Sequence, residues 1–414
     1  MTRDTRLLEL VAVALASAAL TLVPAQPARA SEARAEALGS PLVEDDTDIV
    51  DFPGMLSAYS NMVFLNIAPP MPDAEGELDV DATDGSLGVA FGRDVSLGLW
   101  LHRKSRWRDL DDTAELFEFN VPLPTTYELL DVFFGFYGGL GARLSFAAGL
   151  ESTERFNEDG KVVSTGATSF AADIQLGYSF DVDGYHGDLG AGMTFSWFEI
   201  LESGLATYQS QATPSFLFRH RSVIGSRRDL AGVIDLLLTR RAYTVETVDE
   251  DKTEVHEGKF GRWYVEGTLG PRVRLPGNVT LWIGTRFFVE DLSGEIAKQD
   301  QPTLRSFGAP GVVGSLEVLL WDLLTVRAGV NYDVYWLISI VDAPRGTDDE
   351  DIGGIYAGQQ EMGQRFRWST GLGLTLGGFQ IDATVARNLY FEGPQFIGGG
   401  APGFLGMLSA AYMW

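Results

Sequence analysis

The chain of 414 residues contains no cysteine. Structural disulfides, thiolate metal sites and a lipid-modified terminal cysteine are therefore excluded. Lysine is scarce too, five residues in all, and with 31 basic against 57 acidic side chains the formal charge is −26. A nucleic-acid partner needs a basic footprint, so that class is excluded. Beyond the first thirty residues no stretch approaches the roughly 18 consecutive apolar residues of a membrane-spanning helix. The four histidines, His102, His186, His220 and His256, show no HExxH or paired spacing, and no Gly-x-Ser-x-Gly elbow occurs. No catalytic set, metal site or cofactor site is legible, and no enzymatic activity is expected.

What is present begins with the amino terminus. Arg3 and Arg6 precede an almost wholly apolar stretch from Leu10 to Val23, and Ala28-Arg29-Ala30 fits a small-residue cleavage site. Residues 1–30 read as an export signal cleaved after Ala30. Glycine is abundant, 48 residues, and recurs within strand-like runs and at their turns, as closed and curved sheets require.

From about residue 85 onward the chain alternates with a period of two. Trp263, Val265, Gly267, Leu269, Val273 and Leu275 oppose Arg262, Tyr264, Glu266, Thr268, Arg272 and Arg274. After Pro276-Gly277, Val279, Leu281, Ile283, Phe287 and Val289 oppose Asn278, Thr280, Gly284, Arg286 and Glu290. The runs 324–334 and 379–385 behave alike. These are strands rather than amphipathic helices. Their length, the aromatics at their ends (Trp336, Trp368, Phe379, Tyr390, Phe391) and connections that alternate short and long separate them from a soluble sandwich. The short connections lie near 92–94, 138–139, 181–184, 222–228, 276–277, 321–322 and 377–378. The longer ones lie near 68–84, 104–128, 152–166, 200–207, 246–258, 291–303, 339–363 and 392–400. The expected fold is an all-β, transmembrane, antiparallel up-and-down β-barrel over residues 61–414, with short periplasmic turns and longer acidic extracellular loops. A first strand at 61–67 gives sixteen strands, with fourteen as the other count, since 61–67 and 130–138 are the least clearly patterned segments.

Four of the longer connections are acidic: Asp73 to Asp84, Asp109 to Glu118, Glu246 to Glu257, and Asp348 to Asp351. They suit divalent cations bridging loops to lipopolysaccharide, or simply a solvated, self-repelling surface. The polar faces carry the opposite sign. Arg262, Arg272, Arg274, Arg286, Arg327, Arg365 and Arg367, with Glu266, Glu290, Asp333 and Asp382, are the candidate lumen-lining residues. Arg143, Arg219, Arg221, Asp173, Asp188, Asp235 and Glu317 share that orientation. Such charges set ion selectivity, as a mildly anion-preferring constriction, or brace the wall as ion pairs between strands. Residues 31–60 include an acidic and then amphipathic run, Glu44 to Met55. This run either enters the lumen and pairs with the arginines or remains a periplasmic tail.

The last strand-like run places Phe404, Gly406, Leu408, Ala410, Tyr412 and Trp414 on one face. With the export signal and the hairpin rhythm, it resembles the closing strand of bacterial outer-membrane β-barrel proteins of the porin and transporter type. The resemblance covers nearly all of residues 31–414. It implies outer-membrane lipids as surroundings and recognition of Phe404, Leu408, Tyr412 and Trp414 by the barrel-assembly machinery. It also implies passive diffusion of small polar or ionic solutes, because about sixteen strands enclose more space than side chains fill. The amino-terminal segment is similar to that of the FadL-like transporters of hydrophobic compounds, which is the alternative, beside a structural or adhesive surface barrel.

Overall fold

The computed structural model describes residues 32–38, 42–43, 46–59, 61–68, 84–104, 127–156, 162–202, 206–211, 213–225, 230–249, 255–296, 299–300, 303–321, 323–341, 356–385 and 405–414. Their sheet is one closed ring of sixteen antiparallel strands. In chain order the first eight are β1 Met62–Ala68, β2 Asp84–Gly92, β3 Val95–Lys104, β4 Tyr127–Phe136, β5 Leu140–Phe156, β6 Val162–Val182, β7 Tyr185–Glu202 and β8. The strand β8 has two stretches, Ala206–Gln211 and Thr213–Ile224, which pair with the same two neighbours. The remaining strands are β9 Leu230–Asp249, β10 Val255–Leu275, β11 Val279–Ile296, β12 Thr303–Leu320 with the outlying Gln299–Asp300, β13 Leu324–Val341, β14 Tyr356–Leu376, β15 Phe379–Val385 and β16 Leu405–Met413. Closure comes from β1, which pairs with β2 on one side and β16 on the other, Met62 facing Met413. No sheet edge is left unpaired by this ring, which is what a lipid surrounding demands of a strand-built wall.

The alternation sorts the side chains by solvent. Leu65, Leu87, Leu99, Phe134, Leu144, Phe170, Phe218, Leu238, Val265, Leu269, Phe307 and Leu372 form an outward apolar belt. Ser86, Asp131, Arg143, Asp188, Asp235, Thr268, Ser315, Arg327 and Asp382 point inward and are buried. On β16 the outward set is Leu408, Ala410, Tyr412 and Trp414, with Tyr412 and Trp414 stacked at 6.2 Å. Phe404 lies outside the described residues.

Tight turns close one end of the barrel. At Asp183-Gly184 both central residues have positive φ, 41° and 87°, which a type I′ turn requires and which matches the twist of the flanking strands. Strands reach far beyond the belt at the other end. Both β6 and β10 have 21 residues, roughly 70 Å at the usual rise, whereas a tilted strand crosses a bilayer in 9–11 residues, about 35 Å. Several connections are consequently shorter than the sequence pattern suggested. The acidic stretch 246–258 is mostly strand, since β9 continues to Asp249 and β10 starts at Val255. Likewise β5 runs to Phe156, β11 to Ile296 and β13 to Val341. Period-two polarity weakens once a strand has water on both faces, so the sequence marks where the membrane ends rather than where pairing ends. The acidic runs Asp73 to Asp81, Asp109 to Glu118 and Asp348 to Asp351 lie outside the described residues.

Leu269 sits outward near the middle of the belt, 47% exposed. Leu269→Arg should lower folding stability by about 2–4 kcal/mol in lipid vesicles, read from the shift of the denaturant midpoint.

Candidate functional site

The inner face of the barrel is not bare. Residues 32–38, 42–43 and 46–59 lie inside it, with a short helix α1, Glu32–Leu38, and two 3-10 turns, Asp46–Val50 and Pro53–Ala58. They occupy the half nearest the tight turns, between wall positions such as Gly141 and Gly177 on one side and Glu317 and Arg327 on the other.

The tightest contact is electrostatic. Arg219 and Arg221, two apart on β8, both turn inward and share Asp235 on β9, each through bonds of 3.1 Å. Arg221 Nη2 also donates to Asp48 at 3.0 Å, and Arg219 Nη1 donates to Asp51. The ring of Phe52 lies 5.2 Å from both guanidinium carbons. Gln175 Nε2 donates to the Asp51 carbonyl at 2.6 Å. Two buried cations thus meet three carboxylates, two of which belong to the inner segment. Without it, the two arginines keep Asp235, and Arg221 keeps the buried Asp188 opposite it in the ladder.

Apolar packing holds the same segment. Ile49, Val50, Phe52, Met55, Leu56 and Tyr59 pack on Met62, Phe64, Ala90, Trp100, Phe133 and Ala411 of the wall. Trp100 sits 4.4 Å from Phe133 and 5.2 Å from Phe64, centroid to centroid, in tilted geometry. Wall glycines allow the close approach: a Cβ at Gly177 would come within 2.8 Å of Pro53, and one at Gly141 would overlap it.

At the other side Leu38, Leu42 and Val43 pack on Val223, Ala231, Val233, Trp282 and Val313. The end of α1 leaves carbonyls without helical partners, and wall hydroxyls supply them. Ser369 Oγ donates to Ala37 at 2.9 Å and Ser315 Oγ to Leu38 at 2.8 Å. Arg34 Nε reaches Glu317 at 2.9 Å, Glu317 also takes Arg327 at 2.8 Å, and Arg327 joins Asp382.

Farther toward the long connections a second network lines the wall. Arg286 bridges Glu266 at 2.7 Å and Asp333 at 2.9 Å and also donates to the Tyr264 hydroxyl at 3.2 Å, and Tyr264 donates to Glu266. Arg262 pairs with Glu290, which accepts from Ser306 at 3.1 Å. Of the lumen-lining candidates, the fold therefore brings Arg262, Glu266, Arg286, Glu290 and Asp333 into one region and Arg327 and Asp382 into another. By ladder register Arg272 shares the inner face of Trp282, and Arg274 that of Thr280, nearer the tight turn. Arg365 stands opposite Asp333 in the ladder and the exposed Arg367 opposite Asn331; the Arg365 side chain lies outside the described residues. The sequence reading missed Arg34, Trp100, Phe133 and Gln175, whereas Phe52 lies in the run it expected to enter the lumen. The signal for Phe133 was the poor alternation of β4, whose inner face is partly apolar because it meets the inner segment.

One polar chain faces outward. Tyr185 OH bonds Ser222 Oγ at 2.8 Å, Ser222 bonds His220 Nε2 at 2.7 Å, and His220 Nδ1 bonds the Asp188 carbonyl at 3.1 Å. A carbonyl only accepts, so Nδ1 carries the hydrogen, Nε2 accepts from Ser222, and Ser222 accepts from Tyr185. Ser222 itself is buried.

These features define a bacterial outer-membrane type of β-barrel whose lumen holds a segment of its own chain. No family model matches the sequence, and no curated protein matches it. Similar solved structures include CdiB from Escherichia coli, 12% identical at a TM-score of 0.42 over 85% of this chain and 62% of that one. The unliganded ferric citrate transporter FecA is 12% identical at 0.38, over 78% and 59%. The translocator domain of autotransporter NalP from Neisseria meningitidis is 12% identical at 0.29, over 66% and 88%. The chain spans about three fifths of the length of the first two.

Breaking one buried ion pair on this wall costs about 3–5 kcal/mol where a charge is left without its partner. Asp48→Ala should weaken docking of the inner segment by up to that amount. The measurement is limited proteolysis of the folded protein carrying an amino-terminal tag after residue 30, with faster tag loss and an unchanged heat-resistant barrel expected.

Proposed function

We propose that the chain is an outer-membrane channel for small polar or ionic solutes, held shut by residues 32–59 and opened when that segment leaves the wall. The export signal with cleavage after Ala30 and the lipid-facing carboxy-terminal strand support an outer-membrane location. The observation that carries the gate is the shared cluster of Asp48 and Asp51 with Arg219, Arg221 and Asp235. A porin-like path requires this segment to move, because it fills the lumen side by side with the wall. Once it moves, Arg219 and Arg221 face Asp235 and Asp188, so that level of the lumen is charged but balanced. A second reading, passage of hydrophobic compounds, draws on the inward strip of Phe64, Trp100 and Phe133, which would be bared by the same motion. The Ser222–His220 pair supports no enzymatic reading, because its hydroxyl is buried and engaged by Tyr185.

Single-channel conductance in planar bilayers tests the gate. Residues 31–414 should be silent or open rarely, whereas Asp48→Asn with Asp51→Asn should give frequent steps. Adding Arg219→Gln and Arg221→Gln leaves Asp188 and Asp235 unbalanced and should shift the steps toward cations. A lock follows from geometry, since a Cβ at Gly135 would stand 3.2 Å from that of Leu56, close to disulfide reach. Leu56→Cys with Gly135→Cys, when oxidised, should pin the Leu56 end and limit the openings to the partial ones made by the α1 end, with full-size openings restored on reduction. Large, steady openings of the unmodified chain would overturn the proposal.

A further inference from the structure

The outer wall carries a basic row where a barrel of this kind is expected to be apolar or aromatic. In ladder register, Phe216, Arg240, Trp263, Asp291 and Arg305 stand side by side on β8 to β12. Phe216 and Trp263 are outward and exposed, so residues paired with them in the ladder share that face. One tier nearer the tight turns the same five strands present Phe218, Leu238, Val265, Val289 and Phe307, all apolar and exposed. From Leu230 to Arg240 is ten residues of β9, about 25 Å of height at the tilt of such barrels, which is the height of the apolar band. The row therefore marks the edge of the belt on the side of the long connections, at the level of outer-leaflet headgroups.

Its charges are arranged to face outward rather than to cancel. Arg240 is exposed, has no acidic partner among the described residues, and lays its guanidinium 5.2 Å above the Trp263 ring. Arg305 holds Asp291, with its Nε at 3.0 Å, and its side chain stays 50% exposed. Arg240 thus leans toward β10 and Arg305 toward β11, neighbouring strands about 5 Å apart. Asp291 neutralises one of the two cations and the other remains. In a chain of net charge −26, acidic surfaces repel an anionic leaflet, so an unneutralised cation at headgroup depth needs an anion from outside the protein. Guanidinium groups match the planar geometry of phosphate oxygens.

We propose that Arg240, with Trp263 beneath it, and Arg305 form an external binding site for the phosphate of a phosphorylated outer-leaflet lipid headgroup. Trp263 fixes the guanidinium of Arg240 at the interface while its indole remains in the belt edge. The site stands on the opposite face of the wall from the inner segment and is independent of gating.

The test uses the full mature chain in detergent micelles, with binding of purified lipopolysaccharide, its dephosphorylated counterpart and inorganic phosphate each measured. Retention of the phosphorylated lipid should fall at least about tenfold, the loss of one charged hydrogen-bonding group, in Arg240→Ala with Arg305→Ala. The dephosphorylated lipid should bind the unmodified chain about as weakly as the phosphorylated lipid binds that variant. Arg240→Gln alone leaves the Arg305–Asp291 pair in place, keeps the assay usable if the double variant fails to fold, and should lose part of the retention. Equal retention by the unmodified chain and the variants, or equal binding of the dephosphorylated lipid, would overturn the site. Tight binding of inorganic phosphate alone, abolished in the variants, would overturn the headgroup assignment in favour of a free-anion site.

Discussion

Closing sixteen strands into a ring fixes an interior larger than the wall side chains can fill, and the rest of the structure depends on what occupies it. Water would favour charges spaced apart and solvated. Here much of the interior near the tight turns is filled by the chain itself, and the wall has the composition of a protein–protein contact. Arginines there meet carboxylates directly, serines cap the carbonyls of a short helix, and glycines sit where backbone approaches backbone. Each of these features is costly or pointless against water, and each is accounted for once residues 32–59 lie against it.

The same occupancy explains where the sequence was readable. From β10 to β13 the outer face meets lipid and the inner face is polar, so alternation is clean and strands, turns and facing could be assigned from residues alone. In β1 and β4 large apolar side chains stand on both faces, Met62 and Phe64 inward with Leu65 outward, and Phe133 inward with Phe134 outward, beside the inward Asn66 and Asp131. Period-two contrast weakens when the inner solvent is a packed segment instead of water. The blurred alternation was itself information: large apolar side chains on the inner faces of two strands imply something apolar inside. What no pattern could supply was pairing across the ring. Asp48 and Arg221 are 173 positions apart, and Arg34 and Glu317 are 283 apart. Such partners become neighbours only after closure fixes register, which is why charge alone could not choose between a field across the lumen and a braced wall. The inward Arg34, Arg143, Arg219, Arg221, Arg262, Arg286 and Arg327 all sit in ion pairs, which weights the account toward bracing while the inner segment is in place.

A buried ion pair is weak evidence of stability, since desolvation offsets most of the attraction. Its value in this lumen is asymmetry. Asp235 remains with Arg219 and Arg221, and Asp188 stays opposite Arg221, whether or not the inner segment is docked, so removing the segment leaves two cations facing two carboxylates. The wall therefore tolerates the undocked state better than a pair of unbalanced arginines would allow. Every 1.4 kcal/mol that separates the two states changes their ratio tenfold, and a wall already neutralised lowers that separation. A wall without Asp235 would be locked by the same contacts.

The apolar half of the contact pulls the other way. Phe52, Met55 and Leu56 are fully or nearly fully buried, and baring such side chains costs roughly 1.5–3 kcal/mol each. That sum is too large for thermal opening of the whole segment at once. Charge pairs and apolar packing are, however, laid out along different stretches: Asp48 and Asp51 face β8, whereas Leu56 and Tyr59 lie toward β1, β3 and β4, next to where the chain enters the wall at Met62. Motion that begins at α1 and the Asp48–Asp51 turn while the Leu56 end stays packed separates the arginine cluster first. It needs the ion pairs, the serine bonds to α1, the contacts of Leu38, Leu42 and Val43, and the packing of Ile49 and Val50 to yield. The hinge then falls at Asp51-Phe52, between the two 3-10 turns and just ahead of Gly54, which has no side chain to clash with Gly139 and Ser179. A partial opening of this kind exposes the charged lining of β8 before the apolar strip of Phe64, Trp100 and Phe133, which places polar solutes ahead of hydrophobic ones in the order the lumen would admit them.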